Sequence, residues 1–317
     1  VKWVSRLAYN LTMSWVFFAG LGYFLNAVSV LGDKLILRKV LTRPASYAFW
    51  QGILSLGVFI FVPFGFSLLP FGEAFLSFLS GGFFLYALFF FFHALRLADA
   101  SRVQSIILSL TPLFLFILES YGLKAVFGRN EIFAALLLVS VSVILSVDFE
   151  RKEKAGYGIF IFYSLAAAIL FALSAFLMKA LFLRENFFNV LIWTRIGMFL
   201  GGLSLLFFAQ TRKSILSSSK VMKRPKASAG VLLNKIFGAL GVLFVSFALS
   251  RGPATLVNAL QGLQYAFLFI LAVMLYFFLP GVVKENFQRK AVLQKVFGMI
   301  LVSLGVYLLI IFGNAQV

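Results

Sequence analysis

The chain has 317 residues, 62% hydrophobic, 18% aromatic and 12% charged, against roughly 45–50% apolar and 25% charged in an ordinary soluble domain. That composition excludes a water-soluble globular fold and points to lipid, where 42 Phe side chains can face outward without a hydration cost, and the lack of cysteine excludes disulfides, thiolate metal sites and thiol nucleophiles. A formal charge of +18 would imply nucleic acid in a soluble protein, but here most basic residues fall in short connectors between apolar runs, so they read as topology signals and anionic-lipid contacts, with no nucleic-acid partner.

A bilayer-spanning helix needs about 20 mostly apolar residues. In chain order such runs are predicted at 13–36, 46–69, 74–96, 101–121, 130–147, 156–182, 187–209, 231–250, 254–279 and 292–312, which describes an all-α integral membrane protein with ten transmembrane helices. The first run has no small-residue cleavage pattern and is expected to remain in the mature protein. Pro and Gly punctuate the connectors, at Arg43-Pro44, Pro70-Phe71-Gly72, Gly128-Arg129-Asn130, Gly252-Pro253 and Pro280-Gly281.

The chain also repeats itself. Ala94-Leu95 returns as Ala248-Leu249, Ala100 and Val103 as Ala254 and Val257, and the run from Phe114 to Leu118 as the run from Phe267 to Leu271. Lys34 pairs with Lys179, Trp50 with Trp193, and Val139-Ser140 with Val302-Ser303, so the echo keeps its order through both halves. The extra residues of the second half fall in 211–229 and 280–291, the two longest polar connectors, as insertions should. Residues 1–148 and 149–317 are thus two five-helix repeats. Because five is odd, the second enters the bilayer from the opposite side, and the repeats are inverted. Such repeats share a pseudo-two-fold axis in the membrane plane, the architecture of alternating access.

Lys and Arg concentrate on one side, in the connectors holding Arg38, Lys39, Arg43, Arg151, Lys152, Lys154, Arg212, Lys213 and Lys235. The positive-inside rule puts these in the cytoplasm and both termini outside.

With ten spans in two repeats, the Ala-Leu-x6-Ser segment at 94–102 leading to Leu110-Thr111-Pro112, and Ala135–Ser140 echoed at Met299–Ser303, the whole chain resembles the drug/metabolite transporter superfamily, and within it the EamA-like exporters. It departs from them after the fourth helix, where Leu123-Lys124 and Gly128–Glu131 replace the usual Leu-Gly-Glu. The resemblance implies export or exchange of small metabolites, such as amino acids, nucleotide sugars or cationic drugs. It further implies a plasma (inner) membrane location, a central cavity lined by the first, third, fourth, sixth, eighth and ninth helices, and no cofactor. It also implies cytoplasmic termini, against the charge count. No phosphate-binding Gly-rich loop occurs, in keeping with a secondary mechanism.

Polar side chains at bilayer depth are costly, so each is a candidate. Asn258, Gln261 and Tyr265 follow at i, i+3 and i+7 with Gln264 beside them, and so share a broad face of the ninth helix; Gln104 and Thr111 are their counterparts in the fourth. These six are the expected substrate-binding set, and buried amides bridging neighbouring helices are the alternative. Tyr23 and Tyr86 join them as rings that could stack on a solute or anchor at the interface. His93, the sole histidine, could relay a coupling proton or sit at the interface. Arg195, about a third of the way into the seventh helix, needs a partner, a cavity or a route to the interface, and reads as a lobe lock or gate, or else as an anion site. Asp33 and Glu119 are placed near helix ends.

The expected function is therefore a secondary transporter of small polar metabolites, working as a monomer in the lipid bilayer. A lipid-modifying membrane enzyme would need an acid/base or metal cluster at the interface, which one histidine cannot supply. A pore or structural subunit usually assembles its ring of like residues by oligomerisation.

Overall fold

The structure, a computed structural model, describes residues 2–98, 100–146 and 157–278, with 293, 297, 298, 300, 301, 304 and 305 beyond them. Most of the predicted tenth helix, the 280–291 connector, Val302-Ser303 and the basic residues at 151–154 lie outside the described residues; the seven described positions of that tenth run are helical.

Among the described residues every regular element is helical. Helix α1 is Lys2–Lys39 and α2 is Pro44–Leu54, started by Pro at its first position, where the missing N–H costs nothing. α2 tightens into a 3-10 segment, Ser55–Phe64, containing Pro63. Then come α3 (Phe71–Leu97), α4 (Ala100–Gly122), α5 (Arg129–Ser146) and α6 (Tyr157–Phe182). α7 (Phe187–Ser204) is capped by the Asn186 side chain, which accepts from Phe188 N at 2.9 Å. α8 (Ala209–Met222), α9 (Pro225–Arg251), α10 (Ala254–Ala259) and α11 (Gly262–Phe278) complete the order.

Among the described residues, seven helical segments are long and apolar enough to cross a membrane: Trp15–Arg38, Pro44–Phe64, Phe71–Leu97, Gly158–Phe182, Phe187–Phe207, Pro225–Arg251 and Ala254–Leu275. They overlap the first, second, third, sixth, seventh, eighth and ninth predicted runs. α4 and α5 are helices where spans were predicted, but the apolar part of α4, Ile106–Gly122, is shorter, and the 18 residues of α5 begin with Arg-Asn-Glu. Large apolar side chains stand on the outer surface, among them Phe17, Ile60, Phe162 and Leu232. Such a surface is stable against acyl chains and not against water. Inside lipid, backbone polar groups must bond within their own segment, which is why the spans are helices.

Two predictions need correction. The stretch 211–229 is not an open connector: most of it is α8 and the first turn of α9, and α8 is pinned to α2 by Ser46 Oγ–Ser214 Oγ and Trp50 Nε1–Ser218 Oγ contacts, each 3.0 Å. The ninth span is not one continuous helix either. It breaks between α10 and α11, where Gln261 N donates to Asn258 O at 3.0 Å, Leu263 N to Leu260 O at 2.9 Å and Gln264 N to Gln261 O at 2.9 Å. These are three-residue closures, tighter than an α turn. Gly262, a poor helix former, sits at the break.

α1 lies along α9, α3 along α6 and α7, and α4 between α5 and α6. The closest approaches use glycine. A Cβ on Gly22 of α1 would stand 2.8 Å from Gly241 O of α9, and one on Gly241 would stand 2.9 Å from Gly22 O. Between α3 and α7, a Cβ on Gly81 would collide with Thr194 O and one on Gly197 would lie 2.5 Å from Phe78 Cα. In lipid, where apolar surface gains little from burial against other apolar surface, this backbone proximity is a main source of packing energy.

Two lysines close helix ends. Lys34 Nζ of α1 donates to Leu95 O, at 2.6 Å, and to Ala98 O at the end of α3. Lys179 Nζ of α6 donates to Leu249 O at 3.3 Å and Gly252 O at 2.9 Å at the end of α9. Both place a cation against carbonyls that a helix end leaves unpaired.

Candidate functional site: a polar cavity inside the bundle

A cavity of about 170 Å³ lies inside the bundle, with walls drawn from α1, α2, α3, α4, α6, α7, α9 and the α10–α11 region. Much of its wall is apolar, including Phe84, Phe91 and Phe171. α1 supplies Tyr23, Asn26, Ser29 and Asp33, spaced so that they fall on one helical face.

Asp33 is the centre of a buried cluster. Its Oδ1 accepts from Lys235 Nζ at 2.7 Å, Asn234 Nδ2 at 2.6 Å and Tyr47 OH at 2.5 Å. Asp33 is 5% exposed and Lys235 7%, so this ion pair is out of water. Lys235 Nζ also stands 4.3 Å from the centroid of the Tyr47 ring and 5.5 Å from that of Phe92. The carboxylate thus ties α1, α2 and α9 together at the cavity wall. Lys235, read from sequence as a connector charge, is instead a buried residue of α9, and the charge count behind the predicted orientation loses it.

Glu119, at the far end of α4, is the other buried carboxylate among the described residues. It receives Ala254 N at 2.7 Å, Thr255 N at 2.7 Å and Thr255 Oγ1 at 2.6 Å, so it caps the start of α10. An anion at that terminus satisfies donors that no intrahelical carbonyl reaches.

Of the residues singled out from sequence, Tyr23, Gln104, Arg195, Asn258, Gln261 and Gln264 line the cavity. They come from α1, α4, α7 and the α10–α11 region, so side chains far apart in the chain meet around one space. Tyr23 OH donates to Val257 O at 2.8 Å, tying α1 to α10, and Asn258 Nδ2 bonds back to Ala254 O at 2.9 Å. The expected single face of Asn258, Gln261 and Tyr265 is divided by the break after α10, and Tyr265, 2% exposed, is not part of the cavity wall.

Thr111, Tyr86 and His93 also lie outside that wall. Thr111 Oγ1 points toward Ala168 O at 3.5 Å, Tyr86 OH bonds Ser204 Oγ at 2.7 Å, and His93 Nδ1 contacts Phe89 O at 2.8 Å with its ring 4.3 Å from Phe89 and 5.1 Å from Tyr163. Among the described residues no group of three His, Asp or Glu side chains comes together as a metal set would.

Sequence reasoning missed Gln51, Asn26, Ser29 and Lys235. The face of α1 was legible in the spacing of Tyr23, Asn26, Ser29 and Asp33. For Gln51, an amide inside an apolar run was the only signal.

Among the described residues, the buried side-chain nitrogens and oxygens without a hydrogen-bond partner are Gln51 Oε1, Arg195 Nη2 and Gln264 Oε1. All three side chains line this cavity. Buried polar groups are rarely left unpaired, and where they are, the place calls for an explanation.

No protein-family profile matches the sequence, and no curated protein matches it. A solved structure, described only as the crystal structure of a protein, matches over 96% of this chain and 97% of its own, at 15% identity and a TM-score of 0.62. The two chains share a fold. At this identity the likeness extends to nothing else.

Proposed function

We propose that the protein is a secondary carrier of small polar metabolites that works by alternating access, with its solute site in the cavity between two five-helix repeats, 1–148 and 149–317. On this reading it is a ten-span member of the drug/metabolite transporter superfamily, of the EamA-like kind, acting as a monomer in the plasma (inner) membrane without a cofactor and without chemical conversion of its solute.

One observation carries the reading. The outside of the bundle is apolar, while polar side chains from opposite ends of the sequence, Tyr23, Gln51, Gln104, Arg195 and Gln264 among them, converge on an internal cavity where three of their atoms lack a protein partner. Polar groups are expensive at bilayer depth, and solute pathways are where they occur. A helix interrupted at the cavity, here between α10 and α11, is the usual way for a carrier to offer backbone and amide groups to a solute.

The internal repeat is supported by contacts as well as by sequence. Lys34 and Lys179, paired by the echo, reach carbonyls that the echo also pairs, Leu95 with Leu249 and Ala98 with Gly252. The packing of α1 along α9 has its counterpart in that of α6 along α3.

Counterflow tests the function. Purified protein in proteoliposomes preloaded with unlabelled solute should take up labelled solute transiently and saturably. Linear, unsaturable flux would replace the carrier with a pore, and turnover of lipid without flux would replace it with an enzyme. The inverted layout is tested separately by single cysteines at the exposed connector positions Thr42 and Arg184, since the native chain has no cysteine. Impermeant thiol reagent should reach them from opposite faces, and labelling from one common face would exclude inverted repeats.

A further inference from the structure

We infer that Arg195 is the anion-recognition residue of the cavity, and that the solute is a compact monocarboxylate whose hydroxyl groups donate to the side-chain oxygens of Gln51 and Gln264. The inference takes its route across the membrane from the carrier reading above, but the binding site stands on its own observations.

The three unpartnered buried atoms differ in kind. Arg195 Nη2 is a charged donor, whereas Gln51 Oε1 and Gln264 Oε1 are acceptors. They belong to α7, α2 and α11, and the cavity is the space these three side chains have in common. Ser55 Oγ donates to the backbone Arg195 O at 3.1 Å, and Gln51 lies one helical turn before Ser55, so the chain that carries Gln51 packs against α7 at Arg195 and both side chains reach the cavity. A solute meeting all three atoms must present an acceptor to one and donors to two.

Charge decides what that acceptor is. Among the described residues, the charged members of the cavity wall are Asp33, Lys235 and Arg195. Asp33 and Lys235 neutralise each other at 2.7 Å. The contacts of the Arg195 guanidinium are the Phe84 ring, 5.1 Å from Cζ to centroid, and Met198 Sδ, 3.4 Å from Nη1. Neither bears negative charge, so the wall carries one unit of positive charge in surroundings where an unpaired ion is costly. A single carboxylate matches it in charge and, through parallel N–H···O bonds, in geometry. A phosphate monoester, at about −1.5 to −2, would exceed it. The size of the cavity sets the remaining limit: about 170 Å³ is on the scale of the roughly 150 Å³ engineered cavity that accepts benzene.

The test uses the detergent-solubilised full chain and three probes: glycerate, methyl glycerate and inorganic phosphate. Glycerate should raise the unfolding temperature saturably, its methyl ester should bind at least about tenfold more weakly, and inorganic phosphate should give no saturable shift. Arg195→Gln should abolish the preference for acid over ester, and Arg195→Lys should keep part of it; if Arg195→Gln does not fold, the lysine variant and the wild-type acid-to-ester ratio decide. No binding of glycerate, a preference for acid over ester of less than about tenfold, a saturable shift with phosphate, or an undiminished acid preference in Arg195→Gln would each overturn the inference. Counterflow separates the two levels: glycerate that binds but never counterflows removes the carrier reading and leaves the Arg195 site, whereas counterflow of the ester without the acid leaves the carrier and removes the site.

Discussion

The Asp33–Lys235 pair is the most consequential contact in the bundle, because each side chain would be an uncompensated buried charge without the other. Removing one partner of such a pair costs about 3–5 kcal/mol, while replacing both by apolar groups is often nearly neutral. Asp33→Leu and Lys235→Leu should therefore each lower the unfolding midpoint in detergent strongly, and the double variant should recover most of the loss; additive losses would mean the pair is not a unit. At the cavity wall, Gln261→Ala should weaken solute binding by up to about tenfold, the worth of one good hydrogen bond, with little change in the unfolding midpoint, both read from the same thermal titration. The sequence made Gln104, Asn258, Gln261, Gln264, Tyr23 and Arg195 legible because a polar residue in an apolar run is conspicuous. It could not say which polar groups are already satisfied: His93 bonds the carbonyl one turn back, and Tyr86 finds Ser204 on another helix. Lys235 escaped because its partner, Asp33, lies in the other half of the chain.

Among the elements, α3 and α7 are held at backbone distance by glycine on both sides. Gly81→Ala would drive a methyl group into the Thr194 carbonyl and toward Met198 N, neither of which can rotate away, whereas the neighbouring Gly82→Ala meets nothing within 4 Å. Overpacking of this kind costs about 1–3 kcal/mol, so Gly81→Ala should lower the thermal midpoint and Gly82→Ala should leave it unchanged or raise it slightly, as a helix-favouring substitution does. A fall of equal size in both would mean that helix propensity, not close approach, governs the site. Glu119 holds α10 in the same decisive way: Glu119→Ala strips three donors at the start of α10 of their acceptor and should destabilise the fold by at least about 1–3 kcal/mol, read from the same melting curves. The helices were legible because hydropathic runs of this length have one stable form in lipid. The break at Leu260–Gln261 was not, since it depends on local three-residue closures that periodicity does not register, and α8 was hidden by its polar composition, which reads equally well as loop.

For the molecule as a whole, an apolar exterior surrounds a core that is itself mostly apolar, with polar side chains gathered at the cavity, and the apolar exterior was already legible in the composition. The proposed duplication rests on matched residues that recur in order; what the sequence could not give was the cavity, whose walls come together only when helices such as α1 and α9, and α3 and α6, meet. The solute passes, on this account, through the space where Gln261 stands. The most direct test is a single cysteine at position 261 in this cysteine-free chain, in a variant that retains saturable counterflow before modification. A bulky thiol reagent should then abolish counterflow, solute should protect against the reagent, and the same treatment of a cysteine at the exposed position Ile270 should leave transport intact. Saturable counterflow that persists after complete modification at position 261 would contradict the account.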